Sequence, residues 1–467
     1  MYKNVVSMWN YLFPRKKTIY WFDLSAKWAG QLTGQLNSSF YPAQSSDLSS
    51  YSSFDNSIQA LDLSFNSLSS LPLTIFTLKE LEILVINNNK FDSLPEHIFN
   101  YLKKLQVLSC SDNQISKIPE NIIKLYHLAV FTADNNLISE LPENFYQLKS
   151  LNKLSISTNK LNYLSDKIGH LQQLEYLDLS FNKLKILPNS IGNLKNLKFL
   201  NINNNSISYL PDTIGKLVNL EYINISNNPI ESLPDSFYNL KKLKEIYCSN
   251  TNLKYISKNF KNFQNLEALV LDGNRLTTIP PEIGQLKNLS VLKLNSNLLT
   301  TIPESCKYLK KLKLLSIKRN LIKEFPTCIL YMTNLKSLEI SENFLNFLPD
   351  LSQLKKLEKL ILPFNYIRSI PLSVDSLSHL EYLNLSNNLL QTFPATLYSL
   401  DKLTYIILND NKITQIPQPL NKIKEDKILY LKNNLIVHLP EKIRDSKIKL
   451  YLENNLIPDS FLKKIFL

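Results

Sequence analysis

The sequence predicts an α/β solenoid: short parallel strands on a concave face, joined by short helical or irregular returns on a convex face. Three observations carry this expectation. A unit of 23 residues, cleanest at 174–196 as LEYLDLSFNKLKILPNSIGNLKN, recurs through most of the chain. Inside each unit the spacing of apolar residues changes once. At the change stands an asparagine in fixed phase.

The first half of the unit reads as a strand. Leu177 and Leu179 alternate with Tyr176, Asp178 and Ser180, the period-two pattern of a half-buried strand. After Asn182 the apolar residues Leu184, Leu187, Ile191 and Leu194 fall three or four apart. The chain is therefore expected to turn and come back over the strand with one apolar side. One strand and one return cannot bury enough apolar surface to stand alone, but stacked copies share their apolar faces and pair their strands in parallel.

The asparagine phase is occupied by Asn66, Asn89, Asn113, Asn136, Asn159, Asn182, Asn205, Asn228, Asn274, Asn297, Asn320, Asn343, Asn365, Asn388, Asn411, Asn434 and Asn455, with Thr251 in the ninth copy. A buried amide is tolerated only when it is hydrogen-bonded, so these side chains are expected to bond backbone groups of their own and adjacent turns as a structural ladder. Proline stands six residues later in fifteen copies, from Pro72 to Pro440, where it stiffens a turn that needs no strand donor. Gly169, Gly192, Gly215 and Gly284 share a further phase with Phe76, Phe99, Tyr146 and Tyr238, so that phase does not demand a positive φ. The ninth copy departs twice, with Thr251 for Asn and Ser257 for Pro. A locally looser turn is expected there, whether by drift or as a hinge.

The spacing L-x-x-L-x-L-x-x-N-x-L resembles the leucine-rich repeat, in the form that ends L-P-x-x-I-G-x-L. This form is similar to that of the plant intracellular Ras-group repeat proteins, the Shoc-type Ras-pathway scaffolds and Scribble-like proteins. The resemblance implies a horseshoe solenoid and a noncatalytic scaffold in signal transduction, bridging a small GTPase or a phosphatase. The repeats span 58–457 in eighteen copies, preceded by an N-terminal cap and Ser-rich linker over 1–57 and followed by a C-terminal cap over 458–467. A short helix is expected over 23–32, started by Asp23. Within the N-terminal segment Lys17, Thr18, Ile19, Tyr20 and Trp21 resemble a basic–aliphatic–aromatic docking motif for type-1 protein phosphatase, against the alternative of chance occurrence.

Composition bounds the setting. Of 467 residues 44% are hydrophobic, ordinary for a soluble protein, and no run reaches the roughly 18 apolar residues of a membrane helix. The N-terminus makes a poor signal peptide, because its apolar run precedes its charges. Cys110 and Cys248 occupy the inward strand phase and read as small core residues; Cys306 and Cys328 fall in returns. Without a cysteine cluster at either end, a reducing, cytoplasmic setting is expected.

Two sets of surface residues stand out as candidates for binding a protein partner. On the concave face Tyr176, Phe199 and Tyr222 hold one phase in consecutive copies, with Phe181 and Tyr247 nearby; Tyr382, Tyr405, Tyr430 and Tyr451 form a second group. Exposed aromatic clusters anchor interfaces, and aromatics equally suit strands for packing alone. Between the groups lie Lys293, Lys318 and Arg319, followed by Glu339 and Glu342, which could steer a charged partner. The net charge of +13 concentrates in thirteen lysines, from Lys79 to Lys402, one or two residues before a strand's first leucine. This rim is either a solubilising edge or a peripheral site for an acidic protein, phosphoinositide or nucleic acid. Nucleic acid ranks below the others for want of a recognisable module. The five histidines are scattered, no phosphate-binding glycine loop occurs, and no nucleophile stands beside a base. No enzyme activity, cofactor or metal is expected.

Overall fold

The computed structural model describes the backbone of residues 20–21 and residues 57–417, 427–440 and 448–458. The proposed helix over 23–32, the serine-rich linker and residues 459–467 lie outside the described residues.

Two compact units divide the chain, residues 1–220 with 234–237 and residues 221–233 with 238–467. In the first, eight strands pair in parallel in sequence order: β1 (Tyr20–Trp21), β2 (Ala60–Asp62), β3 (Ile83–Val85), β4 (Val107–Ser109), β5 (Val130–Thr132), β6 (Lys153–Ser155), β7 (Tyr176–Asp178) and β8 (Phe199–Asn201). In the second, eleven do the same: β9 (Tyr222–Asn224), β10 (Glu245–Tyr247), β11 (Ala268–Val270), β12 (Val291–Lys293), β13 (Leu314–Ser316), β14 (Ser337–Glu339), β15 (Lys359–Ile361), β16 (Tyr382–Asn384), β17 (Tyr405–Ile407), β18 (Ile428–Tyr430) and β19 (Lys449–Tyr451). The fold is the α/β solenoid that the repeat predicts.

Strands β2 to β19 are three residues long, and three residues beyond each of them the chain turns. The residue preceding each ladder position adopts the left-handed conformation, with φ near 53° at Phe181 and 54° at Asn88. Asn, Asp and Gly, which tolerate this region, fill most of these positions. The return is a five-residue 3-10 helix in most coils, such as Asn189–Asn193, begun by Pro188, whose carbonyl accepts from the Ile191 amide at 3.0 Å. Coil length tunes this element. Ile83 pairs with Val107, 24 residues on, and the extra residue lengthens the return to an α-helix, Glu96–Tyr101. Ser337 pairs with Lys359, 22 residues on, and no helix forms between them.

Leu177, Leu179, Leu184, Leu187, Ile191 and Leu194 are all buried, so both periods point to one core. Most ladder asparagines tie two coils together. The Asn136 Nδ2 donates to the carbonyls of Cys110, Ala133 and Asp134 at 3.0, 3.2 and 3.2 Å, and its Oδ1 accepts from the Ile115 amide at 2.9 Å.

At the ninth copy the structure does not show a loosened turn. Ser257 holds the backbone shape of proline, φ −70° and ψ 148°, and its Oγ accepts from the Asn259 amide; Ser165 does the same for Lys167. The Thr251 Oγ1 donates to the Asn274 Oδ1 at 2.6 Å. What is lost is the bond to the preceding coil. The Ile230 amide turns to Asn228 O instead, at 2.8 Å.

Glycine in the return serves close approach. A Cβ on Gly215 would lie 2.2 Å from Ser236 O, and one on Gly284 would lie 2.2 Å from Ser305 O.

Candidate functional site

The strand face differs between its beginning and the rest. Ala60, Ile83, Val85, Val107 and Val130 form a buried apolar cluster, and β2 to β5 are buried at all three positions. From β6 onward the first strand residue is partly exposed. The accessible face of the first unit therefore starts at Lys153.

There the chain builds a stack of three side chains from the same phase of adjacent strands. Tyr176 and Phe199 lie ring on ring, 4.2 Å apart and 4° from parallel, and the Lys153 Nζ lies 4.5 Å from the Tyr176 ring centre. Cation–π and offset-stacked geometries of this kind attract beyond simple burial. Two carboxylates frame the stack. Asp134 accepts from Ser155 Oγ, Ser157 N and Ser157 Oγ at 2.7, 2.7 and 2.8 Å. Asp178 accepts from Ser180 N and Oγ and from Asn201 Nδ2, at 2.9, 2.6 and 3.0 Å. Burial raises the Asp134 pKa against the pull of these hydrogen bonds. Burial likewise lowers that of Lys153, opposed by the charges of Asp134 and Asp178. Lys153, Asp134 and Asp178 were not singled out in the sequence. Lys153 was legible there, standing 23 residues before Tyr176 in the same phase.

In the second unit Tyr222 and Tyr247 meet at 5.4 Å and 39°. The Tyr247 hydroxyl donates to the Glu245 Oε2 at 2.8 Å; burial first, and Glu245 second, push its pKa up to about 12, so it stays a donor at neutral pH. Phe181 is not on a strand. It occupies the left-handed turn position and is 53% exposed. Tyr382 and Tyr405 are 6.1 Å apart, tilted, with Tyr405 43% exposed. Tyr430 and Tyr451 stack at 4.6 Å and 6°.

The charged residues between the aromatic groups are largely compensated within the chain. Lys318 and Arg319 both pair with Glu342, the former at 3.1 Å. Glu339 accepts from Ser316 Oγ at 3.0 Å, and Lys293 lies close enough to Asp272 to oppose the pKa rise that burial imposes there. Their capacity to steer a partner is reduced accordingly.

Tyr20 and Trp21, the aromatic end of the phosphatase-like motif, pair with Leu61 and Asp62. The backbone that would add to another protein's sheet is thus engaged with β2, and Lys17, Thr18 and Ile19 lie outside the described residues. All four cysteines are buried and free. The thiols of Cys306 and Cys328 are hydrogen-bond neighbours, which together with burial raises the Cys306 pKa. Among the described residues no group of three His, Cys, Asp or Glu could hold a metal ion, and no helix is long and apolar enough to cross a membrane.

With this geometry in hand, the family description "Leucine-rich repeat region" matches residues 84–187 and 186–275, and "Leucine rich repeat" matches 264–322 and 355–413. No protein of curated function matches the chain in sequence. Among solved structures, a leucine-rich repeat protein of Leptospira interrogans is 31% identical, covering 88% of this chain and 93% of that one, with a TM-score of 0.68. The Arabidopsis receptor kinase HAESA, in complex with the peptide hormone IDA and the co-receptor SERK1, is 25% identical over 84% of this chain and 74% of that one, with a TM-score of 0.66. The plant peptide hormone receptor RGFR1, in complex with RGF2, is 25% identical over 86% and 79%, with a TM-score of 0.63. A recurring strand and 3-10 return, a hydrogen-bonded asparagine in all but one coil and these matches agree: the chain belongs to the leucine-rich repeat family.

Proposed function

We propose that this chain is a noncatalytic scaffold that binds a protein or peptide partner on its strand face, with the Lys153–Tyr176–Phe199 stack as an anchor in the first unit and Tyr222 with Tyr247 as an anchor in the second. The observation that carries the reading is the stack itself. Its rings stand partly exposed on short rigid strands, where little side-chain entropy remains to be lost on binding, and Asp134 and Asp178 beside it can read a basic or hydrogen-bond-donating group. HAESA and RGFR1, of the same repeat architecture, are seen with peptide hormones, which supports peptide or protein recognition as the use of such a face. The Ras-group scaffolds that this repeat form resembles imply a cytoplasmic role in signal transduction with a small GTPase or phosphatase as partner.

The test is capture from native lysate at physiological salt, comparing the wild type with Tyr176→Ala/Phe199→Ala and with Tyr222→Ala/Tyr247→Ala, each checked for intact folding by circular dichroism. The reading expects partners retained by the wild type and lost by at least one folded variant. Partners held equally by all three chains would remove the strand face from consideration.

A further inference from the structure

Along the rim of the second unit, one residue per coil stands just before each strand, immediately after its first buried leucine. These residues alternate in charge and pair across coils. Lys244 bonds Glu221 at 2.7 Å and Lys336 bonds Glu358 at 2.6 Å; in the first unit Lys198 bonds Glu175 at 2.8 Å. The alternation from Glu221 through Lys244 to Glu267 fails in the order Glu267, Ser290, Lys313, Lys336, and again where Glu381 follows Glu358. Serine stands where a partner for Lys313 belongs, and a second lysine follows it.

The row two residues earlier compounds the break. Asn288 donates its Nδ2 to Gln264 O at 2.8 Å, which aims its Oδ1 at the next coil, where it accepts from Lys311 Nζ at 2.8 Å. Asn334 repeats the device, donating to Lys310 O at 2.8 Å and accepting from Lys356 Nζ at 2.7 Å. Lys311 and Lys356 are thus held in place by neutral amides, which orient an ammonium without cancelling its charge. Lys311, Lys313, Lys336 and Lys356 line one recess of about 420 Å³ with Glu267 and the Asn288, Asn334 and Ser290 side chains. Four lysines and one carboxylate, Glu267, line it; Lys336 is paired with Glu358, and among the described residues Lys311, Lys313 and Lys356 have no carboxylate bonded to them.

We propose that this recess binds a ligand bearing clustered phosphomonoester groups. Each such group carries about −1.5 to −2 at neutral pH and so suits a pair of lysines, which bind phosphate as point charges; lysines on adjacent coils, about 4.8 Å apart, suit neighbouring phosphates on a small ring. The recess is more than ten times the roughly 30 Å³ that one water occupies in the liquid, and so has room for several such groups. The site does not depend on the strand-face reading, and its residues lie outside that face's aromatic anchors.

The experiment titrates the full chain with inositol hexakisphosphate by calorimetry and, separately, with phosphatidylcholine vesicles that do or do not contain phosphatidylinositol bisphosphate. Lys313→Gln/Lys356→Gln is compared with Lys79→Gln/Lys402→Gln, which removes the same charge from distant coils of the rim. The expected result is that the recess variant weakens hexakisphosphate binding by about tenfold or more and the distant variant by about twofold or less, with Lys313→Arg retaining affinity. Binding to the soluble phosphate alone assigns the ligand to a free metabolite; binding to both probes assigns it to a lipid headgroup. Equal loss in the two double variants would mean a diffuse field rather than a site. That result, or no binding by the wild type to either probe, overturns the proposal.

Discussion

Changing Thr251 to Asn should stabilise the second unit, and the structure gives the size of the effect. In the following coil the Asn274 Nδ2 donates to the carbonyls of Cys248, Leu271 and Asp272 at 2.7, 3.0 and 3.3 Å, while its Oδ1 accepts from Leu253 N at 3.1 Å. Transposed one coil back, an asparagine at 251 would donate to Ile225 O, Cys248 O and Ser249 O and accept from Ile230 N. The substitution gives up the Thr251 bonds to Asn274 Oδ1 at 2.6 Å and to Cys248 O at 3.3 Å. It also releases the Ile230 amide from its tight two-residue bond to Asn228 O, a geometry less favourable than a straight one. Four bonds form and three are given up, and a net gain of about one hydrogen bond gives about 0.5–1.5 kcal/mol. Because stability in a repeat array is local to a coil and its neighbours, the assay is amide hydrogen exchange at Ile230 alongside urea unfolding. Exchange at Ile230 should slow by about two- to tenfold, and Asn297→Thr should show the opposite change at Leu276, whose amide bonds Asn297 Oδ1 at 3.0 Å. Unchanged or faster exchange at Ile230 in a folded Thr251→Asn chain would refute the account of the ladder.

Three further outcomes follow from the same geometry. Gly215→Ala places a Cβ 2.2 Å from the backbone oxygen of Ser236 and should cost about 1–3 kcal/mol by overpacking, read as a lower urea midpoint. Phe181→Asn relieves a bulky residue held at φ 53° and should gain about 0.5–1 kcal/mol in unfolding free energy, while removing an exposed ring from the turn beside the proposed anchor. Asp134→Asn should become relatively more stable than the wild type as pH rises from strongly acid to neutral. Burial holds the folded Asp134 pKa above its ordinary 3.8, so between those two values the folded chain keeps a proton that the unfolded chain has released. Wild-type stability therefore falls through that window; the asparagine keeps the Oδ1 acceptor and carries no charge. A difference in melting temperature that shrinks or stays flat with rising pH would contradict the sign.

Much of the fold was legible because each signal is repeated. Leu177 and Leu179 against Leu184, Leu187, Ile191 and Leu194 give two periods that point to one core, and copies on either side repeat them. The left-handed turn was readable in principle from the Asn and Asp that precede the ladder, as at Asn88, Asp112 and Asn135, yet Phe181 and Arg319 occupy it too and conceal it. Pairings between coils were harder to see, since partners such as Lys198 and Glu175, or Cys306 and Cys328, are neighbours only once coil lengths are known. Lys427 marks the limit of residue-type rules. It is 2% exposed, and its ammonium donates to Leu400 O and Leu403 O at 2.6 and 2.7 Å, a role that no hydropathy pattern announces. The aromatic phase of Tyr176 and Phe199 was visible; that Lys153 completes the stack follows from the register that pairs Lys153 with Tyr176.

The measurement that tests the central claim most directly is the affinity of the captured partner for the wild type and for Tyr176→Ala/Phe199→Ala, taken at low and at raised salt. Loss of two anchoring rings is expected to cost about 2–4 kcal/mol, a weakening of roughly thirty- to a thousandfold, with wild-type binding changing little as salt rises. An affinity untouched by the double substitution, or one that collapses with salt in the wild type, would contradict it and move recognition to the lysine rim.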